Sequence, residues 1–248
     1  LKVVQNAKEW GITIPAGTPA LDMRQVHARK DKIVGGLTRG IEFLFKKNKI
    51  DWIRGTARLA GSGRVDVLEG EKQTLQAADI IVATGSAPRS VPGIELDGKR
   101  IVTSDEAIHL SEVPKSLVIL GSGAVGVEFA SIYRRFGSDV TIVELLPRLV
   151  PGEDEAISAE LEKSFKKQGI KTLTGTRVTK ATATVKGVDI QAQTPDGTTQ
   201  ALAADILLVA TGRGAVTSGL GAEESGIRME HGYIKVDSMY RTSVPNIA

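Results

Sequence analysis

The chain has 248 residues, of which 41% are hydrophobic and 25% charged, with a formal net charge of +3 and no cysteine. That length suits one large domain or two ordinary ones with a real core, and the small net charge argues against nucleic acid as a partner. The lack of cysteine excludes a disulfide scaffold, a thiolate nucleophile and a Cys-based metal site within these residues. No apolar run approaches the ~20 residues of a membrane helix, and no signal peptide is visible, so the expectation is a cytoplasmic enzyme. His27, His109 and His231 are widely spaced and show no ligand pattern, and the start at Leu1 rather than Met suggests a piece of something longer.

In chain order, Leu21 to Lys47 reads as a long helix, with Val26, Ile33, Val34, Leu37, Ile41, Leu44 and Phe45 at near-helical spacing. Gly35, Gly36 and Gly40 weaken it, and Asp22 followed by Gln25 resembles a capping box. The lysines 46, 47 and 49 read as a solvated helix end. Residues 56–60, 65–69 and 73–77 look like short strands joined by Gly-containing turns. Asp79 to Gly85 then reads as an apolar strand of the kind buried in a parallel sheet.

Residues 88–116 form a Pro- and Gly-punctuated connection around one short helix, for which Ser104 is the expected cap. A domain boundary is placed near Val113. Beyond it, Leu117–Leu120 reads as a strand, Gly121-Ser122-Gly123-Ala124-Val125-Gly126 as a G-x-G-x-x-G turn, and the following run as a helix. That helix is expected to bury Val125, Phe129, Ile132, Tyr133 and Phe136 and to stop at Gly137. A second strand, Asp139–Val143, ends at Glu144.

Each part of this context has a physical reason. Gly121 permits the tight turn, Gly123 lets the backbone approach a pyrophosphate, and Gly126 lets the helix pack closely. The helix N-terminus offers unpaired N–H groups and a positive dipole end to phosphates. An acid about 20 residues further on accepts hydrogen bonds from a ribose 2′-OH. The motif therefore predicts a dinucleotide, and Glu144 favours NAD because it would repel a 2′-phosphate. Arg148, close by in sequence, leaves NADP open.

A further helix is expected from about Glu153 to Lys167, with Ile157, Leu161 and Phe165 on one face and charges ordered to suit its dipole. Then come a short strand at 170–173, a meander turning at Pro195-Asp196-Gly197, and the apolar strand Asp205 to Gly212.

Ala77-Ala78-Asp79-Ile80 to Ala83-Thr84-Gly85 and Ala203-Ala204-Asp205-Ile206 to Ala210-Thr211-Gly212 are nearly one phrase used twice, each after a short meander. The chain thus reads as two copies of a nucleotide-binding unit. Gly212 follows the fingerprint at Gly121, and the same offset counted back from Gly85 falls before Leu1. The first copy's own glycine turn is therefore expected upstream, and the chain reads as an internal fragment. The predicted fold class is α/β, with tandem Rossmann-like dinucleotide-binding domains, one partial and one complete, each with an antiparallel meander.

This organisation resembles the FAD- and NAD(P)H-dependent pyridine nucleotide–disulfide oxidoreductases, and within them the dihydrolipoamide dehydrogenase branch. The phrases that carry it are Lys46-Lys47-Asn48-Lys49-Ile50, Gly55-Thr56-Ala57, Val113-Pro114-Lys115-Ser116, Gly126-Val127-Glu128-Phe129-Ala130, Leu146-Pro147-Arg148 and Val244-Pro245-Asn246-Ile247-Ala248. The resemblance implies a C-terminal part of an FAD-binding domain at 1–112, an NAD-binding domain at 113–237 and a return toward the FAD domain at 238–248.

It also implies that Ala57, Thr84, Gly85 and Ser86 lie near FAD. Gly121, Ser122, Gly123, Ala124, Val125, Gly126, Val127 and Glu128 would hold the NAD pyrophosphate. Within that set Glu128, assigned to the first helical turn, would face the nicotinamide–flavin junction; the plainer reading of Glu128 is an acid suited to the helix dipole. Glu144 would bind the adenosine ribose, Val178 would lie near the adenine, and Gly212 near the nicotinamide. Arg213-Gly214-Ala215-Val216-Thr217 departs from the family's usual Arg-x-Pro-Asn-Thr.

The implied activity passes electrons from dihydrolipoamide, through a redox cystine and FAD, to NAD⁺. The implied partner is the dihydrolipoamide-bearing E2 component of a 2-oxo acid dehydrogenase complex, and the implied assembly is a homodimer. The cystine, the first glycine turn, the flavin Gly-Asp and the catalytic His–Glu pair are not in these residues, so no catalytic residue is assigned and the piece alone is expected to be inactive. Alternatives are an NADH oxidase or flavin reductase, another disulfide reductase of the family, or a non-catalytic NAD-binding module.

Overall fold

In the computed structural model, which describes residues 21–61 and 63–248, the first element is helix α1 (Met23–Lys47). Its N-terminus is capped by Asp22, whose Oδ1 accepts from the N–H groups of Arg24 (2.9 Å) and Gln25 (3.4 Å). The helix runs unbroken through its three glycines. Its apolar stripe is not in the core: Ile33, Leu37 and Ile41 are each more than half exposed, and of its residues only Met23 is buried. Near its start, His27 Nε2 lies 2.9 Å from the Leu110 carbonyl, and Lys30 Nζ donates to His109 Nδ1 at 3.0 Å. Two histidines distant in sequence are thus stacked neighbours, 6.4 Å between ring centroids. No group of three or more metal-ligating side chains occurs among the described residues.

Strands β1 (Ala57–Leu59), β2 (Arg64–Val67) and β3 (Gln73–Gln76) form the first antiparallel meander, within two residues of the expected positions. The expectation for Asp79–Gly85 fails. Ile80 makes one parallel bridge, to Ile247, and Ile81 is 81% exposed. Hydrogen bonds from Ile80 N to Asn246 O, Val82 N to Ala248 O and Ala248 N to Ile80 O secure one edge of this stretch. Apolar composition suits a buried strand, but a strand needs neighbours, and the described residues supply one short one. Strand β4 (Ser86–Pro88) follows.

The described residues fall into two compact units, one taking residues up to Lys32 with Pro88–Gly212, the other Ile33–Ala87 with Arg213–Ala248. The first is built on a parallel sheet. After β5 (Ile101–Val102) comes helix α2 (Ser104–Ala107). Its cap is Thr103 rather than Ser104: Thr103 Oγ1 accepts from Asp105 N, and Glu106 Oε2 accepts from the Thr103 N–H and hydroxyl. This is a capping box, written in the sequence as Thr103-x-x-Glu106. Those hydrogen bonds from Thr103 hold the Glu106 carboxyl below its ordinary pKa.

Then follow β6 (Ser116–Leu120), α3 (Ala124–Phe136), β7 (Asp139–Val143), α4 (Glu155–Gln168) and β8 (Lys171–Leu173). Helices α3 and α4 stop at glycines in the left-handed region, Gly137 (φ 111°) and Gly169 (φ 75°). A second meander, β9 (Arg177–Thr184), β10 (Gly187–Gln193) and β11 (Thr199–Ala204), leads into β12 (Ile206–Val209). The all-parallel sheet has the order β5-β12-β6-β7-β8.

The apolar runs of β6 and β12 are continuous because both sheet faces are covered. Leu117, Ile119, Ile206 and Leu208 pack with Tyr133 of α3 and Phe165 of α4. Val118, Leu120, Leu207 and Val209 pack with Val188 and Ile190 of the meander. Alternation of period two assigns each residue to one layer, and each such side chain fully buried contributes about 1.5–3 kcal/mol.

The helical faces differ from expectation at single positions. Tyr133 is buried and Val125, Phe129 and Phe136 half-buried, but Ile132 is exposed, and in α4 Ile157 is exposed while Ser158 is buried. Tyr133 donates to the Ala107 carbonyl at 2.7 Å, tying α3 to α2.

In the other unit, β13 (Arg213–Ala215) pairs with β4, and β14 (Met229–Glu230) forms a hairpin with β15 (Tyr233–Ile234). Its small core joins Leu59, Leu220, Ala222, Ile227 and Ile247.

Candidate functional site

The carboxyl ends of β6, β7 and β12 open onto a cleft of about 760 Å³, the position where parallel α/β sheets bind ligands. Its floor is the turn after β6. Gly121 has φ 101°, and a Cβ there would strike the Ala210 carbonyl. A Cβ at Gly126 would strike the carbonyl of Gly121, so this glycine lets α3 begin against the turn. Gly123 differs: its φ of −67° suits any residue, and a Cβ would meet no protein atom within 4 Å. The space it leaves open faces outward from the turn.

Helix α3 starts immediately afterwards, with Gly123 as N-cap, no side-chain cap and no acid in its first turn. Its first N–H groups have no intrahelical acceptor, and no acid of its own first turn offsets the positive end of its dipole. Glu128 is the fifth helical residue, so it belongs to the second turn rather than the first. It is exposed and does not line the cleft.

Glu144 sits at the end of β7, 7% exposed. Its Oε2 accepts from the Ser122 N–H (2.8 Å) and hydroxyl (2.7 Å), and its Oε1 from the Leu146 N–H (2.8 Å). Its backbone is pinned as well, Glu144 N donating to Leu173 O and Thr176 N to Glu144 O. Arg148 is committed elsewhere. Its guanidinium bonds Glu155 Oε1 at 2.6 Å and the carbonyls of Pro151 and Glu153.

Of the residues singled out from sequence, Gly121, Ser122, Gly123, Ala124, Glu144, Val178 and Gly212 line this one cleft, while Val125, Gly126, Val127 and Glu128 stand behind them on α3. Ala57, Thr84, Gly85 and Ser86 belong to the other unit. All four are exposed, Ala57 on β1 and Ser86 opening β4, where Arg213 donates to Ser86 Oγ (2.8 Å) and Ser86 O (2.6 Å). Glycine spacing does not reach Val91, Pro92, Leu145, Val150 to Glu153, Thr176 or Arg177, which also line the cleft. Those loops follow strand ends, a signal that marks them once the sheet order is known. Arg177 adjoins Val178, the position expected near adenine, and is the one cationic side chain among the lining residues.

A parallel sheet, a glycine turn meeting an uncapped helix start, and a buried acid at the next strand end define a dinucleotide-binding α/β protein. The chain matches the pyridine nucleotide-disulphide oxidoreductase family model over residues 3–247. It therefore belongs to that family.

Among curated relatives, dihydrolipoyl dehydrogenase 3 of Pseudomonas putida is 46% identical over 202 residues, which is 80% of this chain and 43% of that protein. Dihydrolipoyl dehydrogenase of Chlorobaculum tepidum is 39% identical over 247 residues, 99% of this chain and 52% of its own length. The chain thus spans about half the length of these relatives. The crystal structure of LpdA from Mycobacterium tuberculosis superposes with a TM-score of 0.87 at 28% identity, over 99% of this chain and 53% of LpdA. The HOCl-induced flavoprotein disulfide reductase RclA of Escherichia coli gives 0.78 at 28% identity, with the same coverage.

Proposed function

We propose that this chain supplies the NAD site, and part of the FAD site, of a dihydrolipoamide dehydrogenase. The whole reaction oxidises dihydrolipoamide to lipoamide and reduces NAD⁺ to NADH and a proton. It requires a redox cystine, which the 248 residues, having no cysteine, do not carry. Residues 113–237 form the NAD domain in this reading, and 1–112 with 238–248 contribute to the FAD domain. When bound, the two cofactors supply the hydride-transfer chemistry.

The roles of this chain's residues are binding and orientation. The turn from Gly121 to Gly123 and the first N–H groups of α3 fit a pyrophosphate, because the open side of Gly123 is space that a side chain would fill. Val127 and Glu128 follow on α3, and Glu128, exposed outside the cleft, is assigned to the nicotinamide–flavin junction of the whole protein. Val178 lies by the adenine and Gly212 by the nicotinamide. Ala57 and Thr84 to Ser86 contact FAD. By analogy with the relatives' activity, the partner is the lipoyl-bearing E2 component of a 2-oxo acid dehydrogenase complex, and the assembly is a cytoplasmic homodimer.

The single observation that carries the choice of NAD is the buried carboxylate of Glu144 beside the glycine turn, with Arg148 bound to Glu155 instead of facing the cleft. An anionic 2′-phosphate would meet this acid without a compensating Arg148. Calorimetric titration with NADH and NADPH tests this. NADH should bind about tenfold tighter or better, and Glu144→Ala should weaken NADH far more than NADPH. A native preference for NADPH would overturn the assignment. The likeness to RclA supports a second reading, a flavin-dependent reductase of a different disulfide, with the same nucleotide site.

A further inference from the structure

We infer that Ser122 is a positioning residue for dinucleotide choice: its hydroxyl holds Glu144 in the one pose that accepts a ribose hydroxyl and rejects a 2′-phosphate. The inference rests on the reading of Glu144 as the ribose acid.

An ionised carboxylate accepts at about four lone-pair sites. Three donors of the protein reach Glu144: the N–H and the hydroxyl of Ser122, both on Oε2, and the N–H of Leu146 on Oε1. About one acceptor position is left, and Glu144 is one of the residues that line the cleft. A ribose O–H can donate there. A phosphate at the same place brings only acceptors and negative charge against a buried anion, and burial strengthens that repulsion.

Two of the three donors belong to one residue, and Ser122 is itself fully buried, with its carbonyl accepting from Val150 N at 3.1 Å. The backbone of Ser122 is therefore held on both sides, by Glu144 at its N–H and by Val150 at its carbonyl. It also lies between Gly121 and Gly123, so the turn that meets the pyrophosphate is the element that aims the ribose acid. Removing the hydroxyl leaves Oε2 with a single backbone donor, and the carboxylate gains freedom to rotate out of its pose.

The test is calorimetric binding of NADH and NADPH to the purified protein and to Ser122→Ala, Ser122→Gly and Glu144→Ala. Gly retains the backbone donor as Ala does, and serves as a second hydroxyl-free variant should Ala disturb folding. Ser122→Ala and Ser122→Gly should each weaken NADH roughly tenfold, as for loss of a hydrogen bond to a charged group, while NADPH changes less than about twofold. A structural role alone would lower both affinities by one factor and leave their ratio intact, and that result overturns the inference, as does unchanged NADH binding. Glu144→Ala separates the two readings. If it abolishes discrimination while the Ser122 variants preserve it, the ribose assignment stands and the positioning role falls. If Glu144→Ala leaves the ratio unchanged, both fall.

Discussion

At the scale of residues, three glycines of one motif do three separable jobs. Gly121 needs its left-handed backbone, and Gly126 needs the absence of a side chain against the Gly121 carbonyl. Gly123 needs neither, since its backbone is ordinary and its surroundings are empty of protein. Substitution should therefore separate ligand space from packing. Gly123→Ala should leave the melting temperature within about 2 °C of the native value, an energy change of a few tenths of a kcal/mol, yet weaken NADH at least tenfold. Gly126→Ala should lower the melting temperature clearly, because a fixed backbone carbonyl must move, at a cost of about 1–3 kcal/mol. Scanning calorimetry with and without NADH reads both effects. Equal melting temperatures for the two variants would contradict the geometry. The glycines and Glu144 are legible in sequence because each is required locally. The partner of Glu144 is not, since Ser122 reaches it only when β6 and β7 lie side by side.

Elements show where periodicity stops being sufficient. Spacing identifies α3 and α4 as amphipathic helices, but the edge of each stripe is set by the sheet beneath. Ile132 and Ile157 therefore face outward while Ala130 and Ser158 are buried. The cap of α2 was legible, as Thr103-x-x-Glu106, though Ser104 is the nearer-looking candidate.

The tie between α3 and α2 is Tyr133, whose phenol burial pushes up to a pKa of about 12 from its ordinary 10. The folded state thus keeps a proton that the unfolded chain releases above pH 10. Stability from this group is complete below pH 10 and declines as pH rises from 10 toward 12, by at most about 2–3 kcal/mol. Tyr133→Phe should lose about 1 kcal/mol at neutral pH for the missing hydrogen bond and show a flatter stability profile between pH 9.5 and about 11. Urea titrations across that range measure it, and parallel profiles for the two proteins would remove Tyr133 from the alkaline response.

For the whole molecule, the two copies of one phrase have different fates. Ile206–Val209 is buried and paired on both edges, between β5 and β6 of a five-stranded sheet, whereas the matching Ile80–Val82 has one paired edge and an exposed Ile81. Amide exchange followed by mass spectrometry should show β6, β7 and β12 exchanging about a thousandfold more slowly than Ile80–Val82, in line with their burial. Equal protection would mean that Ile80–Val82 is paired on both edges in the protein.

Sequence by itself determined the local requirements: where a turn needs glycine, where an acid ends a strand, which segments have helical or strand periods, and that one nucleotide-binding phrase occurs twice. The resemblance drawn from those phrases agrees with the family match over residues 3–247. Only the tertiary structure decided which apolar strand was buried, which face of each helix met the sheet, that His27 and His109 were neighbours, and that Ser122 holds Glu144. The physical reason is range. Backbone conformation and periodicity act within a few residues, while burial and buried hydrogen bonds depend on neighbours brought together from distant parts of the chain.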